Sequence, residues 1–178
     1  MHKIVDKVET DGVQWGQVGK SGDSEGIPIG PTRRGKKEMF IGEYTHNLDD
    51  KGRLAIPVKF RAQLASGAVV TRGLDNCLSL FTESAWAGES ARLANLPMTQ
   101  SKARAYARFM LSSAFSVEID KQGRIVLPAG LRSFAGITGS TVLTGLGDHV
   151  EIWNQKAWEE YRSNIEKDSV NIAEELGI

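Results

Sequence analysis

The sequence predicts an α+β fold assembled from two copies of one half-domain, and three observations carry that prediction. The stretch Asp49-Asp50-Lys51-Gly52-Arg53-Leu54-Ala55-Ile56-Pro57 returns as Asp120-Lys121-Gln122-Gly123-Arg124-Ile125-Val126-Leu127-Pro128. The match runs on: Phe60-Arg61 meets Leu131-Arg132, and after a one-residue slip Gly73-Leu74, Leu80-Phe81 and Ala85-Trp86 meet Gly145-Leu146, Ile152-Trp153 and Ala157-Trp158. Around each copy, short strand patterns and helix signals follow in the same order. A unit of about 55 residues is marginal alone, so the halves are expected to share or exchange core.

The elements follow in chain order. Residues 1–38 are rich in Gly, Asp, Ser and Lys, with Trp15 their only aromatic residue, and such a segment buries little apolar surface. They read either as a disordered extension, whose Arg33-Arg34-Gly35-Lys36-Lys37 could brush phosphates, or as a mis-called start upstream of Met39. A β-type pattern begins abruptly at Met39-Phe40, and the first half-domain is placed at 39–113, the second at 114–178. In each, a strand (Tyr44 to Leu48; Ala114 to Ile119) enters the Gly-Arg turn. A second strand (Arg53 to Ile56; Arg124 to Leu127) ends at Pro57 or Pro128, which suit the first turn of a helix.

Short helices are therefore expected over Val58–Ala65 and Ala129–Ala135, stopped by Gly67 and by Gly136 or Gly139. Strands at Ala68–Arg72 and Thr141–Thr144 follow, then Leu78–Phe81 and His149–Trp153, whose alternation Leu78-x-Leu80 and Val150-x-Ile152 marks one buried face. Thr82 or Ser84 can cap a helix containing Trp86 and Leu93, and Thr99 a helix from Gln100 to Ser112 with Tyr106, Phe109 and Met110 on one face. The second half ends on Trp158, Tyr161 and Ile165 at helical spacing, then a shorter acidic stretch. These aromatics are expected in the core or a subunit interface.

Composition narrows the function. Lysine plus arginine balance aspartate plus glutamate over the chain, yet charge is unevenly placed. Asp49 to Arg61 carries four basic residues (Lys51, Arg53, Lys59, Arg61) against two acidic, while the chain from Gln155 onward carries three basic against six acidic. Cys77 is the single cysteine, so an intrachain disulfide is excluded, and the scattered His2, His46 and His149 form no metal-ligand spacing. No apolar run is long enough to span a membrane and no export signal is evident, so a soluble cytoplasmic protein without metal or cofactor is expected.

The duplicated turn carries the functional argument. Glycine permits positive φ in a tight turn, and the arginine after it can fork onto a phosphate or onto O6 and N7 of guanine. Asp49 and Asp120 invite an acid/base dyad, but Lys51 and Lys121 beside them favour the ionised forms, and orienting the arginine four residues on is the better role. Gly145-Leu146-Gly147 fails as a dinucleotide loop because the third glycine position is Val150. Ser112, Ser113 and Ser133 lack a triad setting, so no enzyme is expected.

Met39-Phe40, Asn47-Leu48-Asp49-x-Lys51-Gly52-Arg53-Leu54-x-Ile56-Pro57 and Asp120-x-x-Gly123-Arg124-Ile125-x-Leu127-Pro128 together resemble the MraZ family of bacterial transcriptional regulators, over about Met39 to Ile178. The resemblance implies two tandem AbrB/MazE-like swapped-hairpin half-domains interlocked in a pseudo-two-fold β-barrel flanked by helices. It also implies a ring-shaped homo-oligomer, nucleoid-associated, that binds direct repeats of promoter DNA before its own division and cell-wall gene cluster and represses it. The same fold serves in toxin-neutralising antitoxins, which keeps a protein-binding alternative. By the family motif, Arg53 and Arg124 are the expected DNA contacts and Asp49, Gly52, Asp120 and Gly123 organise the turns. Lys51 and Lys121 are expected on phosphates, with Arg61 and Arg132 either reinforcing the rim or solvating a helix face. The second copy has Gln122 where the first has Lys51, which leaves equal work by the two halves open.

Overall fold

The described residues form eight strands and five helices, and the two copies of each strand occupy mirrored places. The computed structural model describes residues 39–177, so both readings of residues 1–38, with the Arg33–Lys37 cluster, lie outside the described residues. Strands β1 (Phe40–Asn47), β3 (Ala68–Arg72), β4 (Leu78–Thr82), β5 (Phe115–Val117), β7 (Ser140–Gly147) and β8 (His149–Asn154) form one antiparallel sheet in the order β1-β7-β8-β4-β3-β5. Exchanging equivalent strands of the two halves reverses this order onto itself. The pseudo-two-fold axis therefore passes between β4 and β8, where Leu80 faces Val150 and Leu78 faces Ile152.

The exchange itself is the main architectural fact. Strand β1 of the first half pairs with β7 of the second along its whole length, Phe40 opposite Gly147 through Asn47 opposite Ser140. Strand β5 of the second half pairs with β3 of the first. Each half thus completes the other's sheet. The remaining strands, β2 (Arg53–Ala55) and β6 (Arg124–Val126), pair with each other in a separate two-stranded ribbon.

The strands do not close into the expected barrel. Strands β1 and β5 stand at opposite ends of the sheet, and beyond each the chain turns into the ribbon rather than curling to meet the other end. A single bridge, Leu48 to Leu54, ties the end of β1 to the ribbon. With β5 only three residues long, little edge is available for closure.

Between sheet and ribbon lies one core. Leu54 and Ile125 point inward from the ribbon and are almost fully buried, together with Phe40, Phe60, Leu80, Val150 and Ile152 of both halves. Phe60 makes edge contacts with Phe40 and Tyr44, at centroid distances of 5.2 and 5.1 Å. Because the buried set mixes the halves, neither copy has a core of its own.

The helices depart from expectation in instructive ways. Helix α1 is a single turn, Val58–Arg61, since Leu64 N reaches both Phe60 O and Arg61 O at 3.3 and 3.2 Å and the helix loosens before Gly67. Helix α2 (Glu83–Ala94) is capped by Thr82, whose Oγ1 accepts from Ala85 N at 3.1 Å. Helix α3 (Ser101–Leu111) starts after a turn in which Gln100 N donates to Pro97 O, so Gln100 and not Thr99 is its N-cap. Helix α4 (Ala129–Phe134) follows Pro128, and Gly136 at φ 61° ends that segment.

Helix α5 runs unbroken from Gln155 to Leu176, where a shorter acidic stretch was expected. No glycine or proline interrupts it before Gly177, which caps it in the left-handed conformation at φ 73°. Its first turns stack Trp158 and Tyr161 on Trp153 of β8, at 5.4 and 4.9 Å. Further along, Ile165, Val170, Ile172 and Leu176 are exposed.

Candidate nucleic-acid interface

The ribbon β2/β6 carries both Gly-Arg turns at its ends. Because a strand alternates its faces, burying Leu54 and Ile125 turns Arg53, Ala55, Arg124 and Val126 outward. Arg53 sits opposite Val126 and Arg124 opposite Ala55. Two arginines that lie 71 positions apart in the chain therefore share one small face.

Each turn is organised by its aspartate. Asp49 Oδ1 accepts from Lys51 N at 3.0 Å and Arg53 N at 2.9 Å, while Oδ2 accepts from Arg53 Nε at 2.6 Å. Asp120 repeats this: Oδ1 accepts from Gln122 N and Arg124 N at 2.9 and 3.0 Å, and Oδ2 from Arg124 Nε and Nη2 at 2.9 and 2.7 Å. The backbone closes each turn as well, with Gly52 N donating to Asp49 O and Gly123 N to Asp120 O. Gly52 and Gly123 adopt φ 74° and 79°, the left-handed region that a side chain disfavours.

Both carboxyls lie below the ordinary carboxylate range. For Asp49 the backbone N–H of Arg53 is the largest cause, with the Arg53 side-chain bond beside it. For Asp120 the Arg124 side-chain bond leads, followed by the Arg124 backbone N–H. Both aspartates are therefore charged and bound at neutral pH, each fixing one arginine as a positioned cation.

The turns are similar but not equal. Arg53 engages its aspartate through Nε alone, which leaves its terminal nitrogens without an acceptor among the described residues. Arg124 uses Nε and Nη2 on Asp120, and its Nη1 also comes within 3.9 Å of Asp49. Its side chain is 24% exposed against 30% for Arg53. Arg53 thus offers more unspent donor capacity to an external acceptor.

The other basic residues fall into two groups. Lys51 and Lys121 are exposed at the turns, as is Lys59 on α1. Arg61 and Arg132 are half-buried and turned to the protein: Arg61 Nε donates to Ile56 O at 2.8 Å and Arg132 Nε to Leu127 O at 3.1 Å. Each guanidinium lies against the glycine of the opposite half's turn, Arg61 on Gly123 and Arg132 on Gly52. Sequence reasoning missed this crossing, although the shared offset of the two arginines from their turns was its visible trace. Among the described residues no cluster of His, Cys, Asp and Glu could hold a metal ion, and Cys77 is buried, its thiol pushed far up by that burial.

Exchanged strands around a pseudo-two-fold axis define a tandem-repeat α+β protein whose halves complete each other's sheet, carrying one aspartate-braced Gly-Arg turn per half. Comparison with known proteins agrees. The chain belongs to the MraZ family: the model described as "MraZ protein, putative antitoxin-like" matches twice, over residues 39–109 and 110–176. A "Transcriptional regulator MraZ" of Natranaerobius thermophilus is 46% identical over 138 residues, which is 78% of this chain and 96% of that protein. Proteins of the same name from Moorella thermoacetica and Alkaliphilus oremlandii are 48% and 46% identical, over 69% and 79% of this chain and 86% and 100% of their own lengths.

Proposed function

We propose that this chain is a sequence-specific DNA-binding transcriptional regulator, with Arg53 and Arg124 as its groove or phosphate contacts. One observation carries the reading: a single outward ribbon face presents two arginines, each locked by an aspartate in a left-handed glycine turn. Preorganised guanidinium groups lose little freedom on meeting a phosphate or guanine edge. Lys51 and Lys121 at the rim supply phosphate attraction, and the relatives' shared name supports the regulatory role.

The finer reading is a cytoplasmic, nucleoid-associated ring that binds direct repeats in its own promoter and represses the division and cell-wall cluster behind it. One protomer offers few phosphate contacts, so useful affinity calls for several modules acting together. Helix α5 supports self-association, because its 22 residues include no buried side chain and expose Ile165, Ile172 and Leu176.

The antitoxin-like wording of the family description and the acidic α5 favour a second reading, in which the chain acts mainly by binding a protein. A gel shift on the chain's own upstream DNA, run beside a pull-down, separates the two. Retardation at nanomolar to micromolar protein supports the regulator; a stoichiometric protein partner without retardation supports the alternative.

A further inference from the structure

We propose that Arg61 and Arg132 are reciprocal positioning residues, each setting the arginine turn of the opposite half rather than meeting DNA itself. The inference rests on the DNA-binding reading for its functional consequence, while its structural content stands alone.

The geometry repeats on both sides of the pseudo-axis. At the end of β2, Ile56 N donates to Gly123 O at 2.9 Å while Ile56 O accepts from Arg61 Nε at 2.8 Å. At the end of β6, Leu127 N donates to Gly52 O at 2.9 Å while Leu127 O accepts from Arg132 Nε at 3.1 Å. One strand-end residue thus grips the opposite glycine through its N–H and anchors the covering arginine through its carbonyl. The guanidinium then lies against that glycine. A Cβ built on Gly52 would stand 3.1 Å from Arg132 Cζ, and one on Gly123 would collide with Arg61. Both glycines are buried under these arginines although their neighbours Lys51 and Gln122 are exposed.

Chemistry explains the choice of arginine. A planar guanidinium can donate from Nε to one carbonyl and still cover a neighbouring Cα with its face, whereas a lysine ammonium is a compact point charge without a flat surface. Arginine in this place fixes the glycine peptide, and through it the backbone N–H of the following residue that binds the turn's aspartate. Arg132 thereby governs Asp49 and Arg53, and Arg61 governs Asp120 and Arg124. The turn of the first half, whose arginine keeps more unspent donors, depends on a residue of the second.

The test has two arms. In the first, ¹H–¹⁵N spectra of the full chain without DNA follow the Gly52 and Gly123 amides and the Nε–H signals of Arg53 and Arg124. Arg132→Ala is expected to move the Gly52 and Arg53 signals and leave those of Gly123 and Arg124 in place, and Arg61→Ala to do the reverse. Perturbation of each variant's own half, or of both turns equally, overturns the proposal whatever DNA does.

In the second arm, a duplex of the chain's own upstream region is titrated with single and double variants. Arg132→Ala is expected to weaken binding about tenfold, the scale of one positioning hydrogen bond, with no change in salt slope. It should add nothing in an Arg53→Ala background and keep its full effect in an Arg124→Ala background. A salt slope lowered by about 1 would show a direct phosphate contact and overturn the proposal, as would full rescue by Arg132→Lys. Absence of binding by the unaltered chain would fail the DNA reading and leave the spectra to decide the positioning role.

Discussion

Replacing Gly52 by alanine is the perturbation whose cost can be worked most directly from the structure. The residue sits at φ 74°, and a left-handed residue with a Cβ costs about 1–2 kcal/mol. The new methyl would also stand 3.1 Å from Arg132 Cζ and 3.3 Å from its Nε, so the guanidinium must give by a few tenths of an ångström. Arg132 Nε already reaches Leu127 O at 3.1 Å, and the shift sacrifices much of that bond, worth about 0.5–1.5 kcal/mol. Together these penalties come to about 1.5–3.5 kcal/mol, or a fall in Tm of roughly 3–14 °C at 2–4 °C per kcal/mol.

Calorimetric melts at one fixed protein concentration measure this. Gly52→Asn, which tolerates the left-handed conformation better, should recover the backbone part only. Gly123→Ala should cost at least as much, since its Cβ falls closer to the Arg61 guanidinium. A Gly52→Ala protein within about 0.5 kcal/mol of the parent, the scatter of an unremarkable surface substitution, would refute the reasoning that conformation and close packing together demand glycine there.

Gly88 gives the opposite sign: it lies inside α2, a Cβ there meets nothing within 4 Å, and Gly88→Ala should stabilise by about 1 kcal/mol in the same melts. The two turn aspartates have lowered folded pKa values, so their stabilisation is fully present above the unfolded value near 3.8 and disappears as pH falls through the lower folded values. A carboxyl-carbon titration should place both midpoints below 3.8, and a midpoint at or above it for either would contradict the bonding described. If α5 carries the contacts between copies, Ile165→Glu with Ile172→Glu should lower the solution mass without lowering the helix content of the chain, which sedimentation and circular dichroism check together.

Much of the fold is legible in the sequence because the repeat speaks in local chemistry. Pro57 and Pro128, the paired glycines and the Asp-to-Arg spacing each fix short-range geometry, and the alternation Leu78-x-Leu80 and Val150-x-Ile152 marks strands that do meet at the pseudo-axis. The pairing of β1 with β7 and of β5 with β3 is not readable from pattern. A strand's alternation says which face is buried, and nothing about which half supplies its neighbour. For the same reason the crossing of Arg61 and Arg132 is hidden, since each arginine bonds a carbonyl five residues away while covering a glycine 62 or 80 positions distant. The length of α5 is equally hard to read, because an acidic stretch looks like an ending when only Gly177 supplies one.

Arg53 and Arg124 share the outward face of the ribbon, and replacing both removes the two guanidinium groups offered to DNA. Binding of the chain's own upstream duplex is measured from low to moderate salt for the parent and for Arg53→Ala with Arg124→Ala, after confirming that both have the same solution mass. The double variant is expected to bind more weakly at every salt concentration. Its salt slope should be shallower by about 1 for each phosphate no longer neutralised, or the weakening confined to the cognate sequence where a guanine edge was read. Equal binding by the parent and the double variant would contradict the assignment of the paired turns as the DNA-facing site.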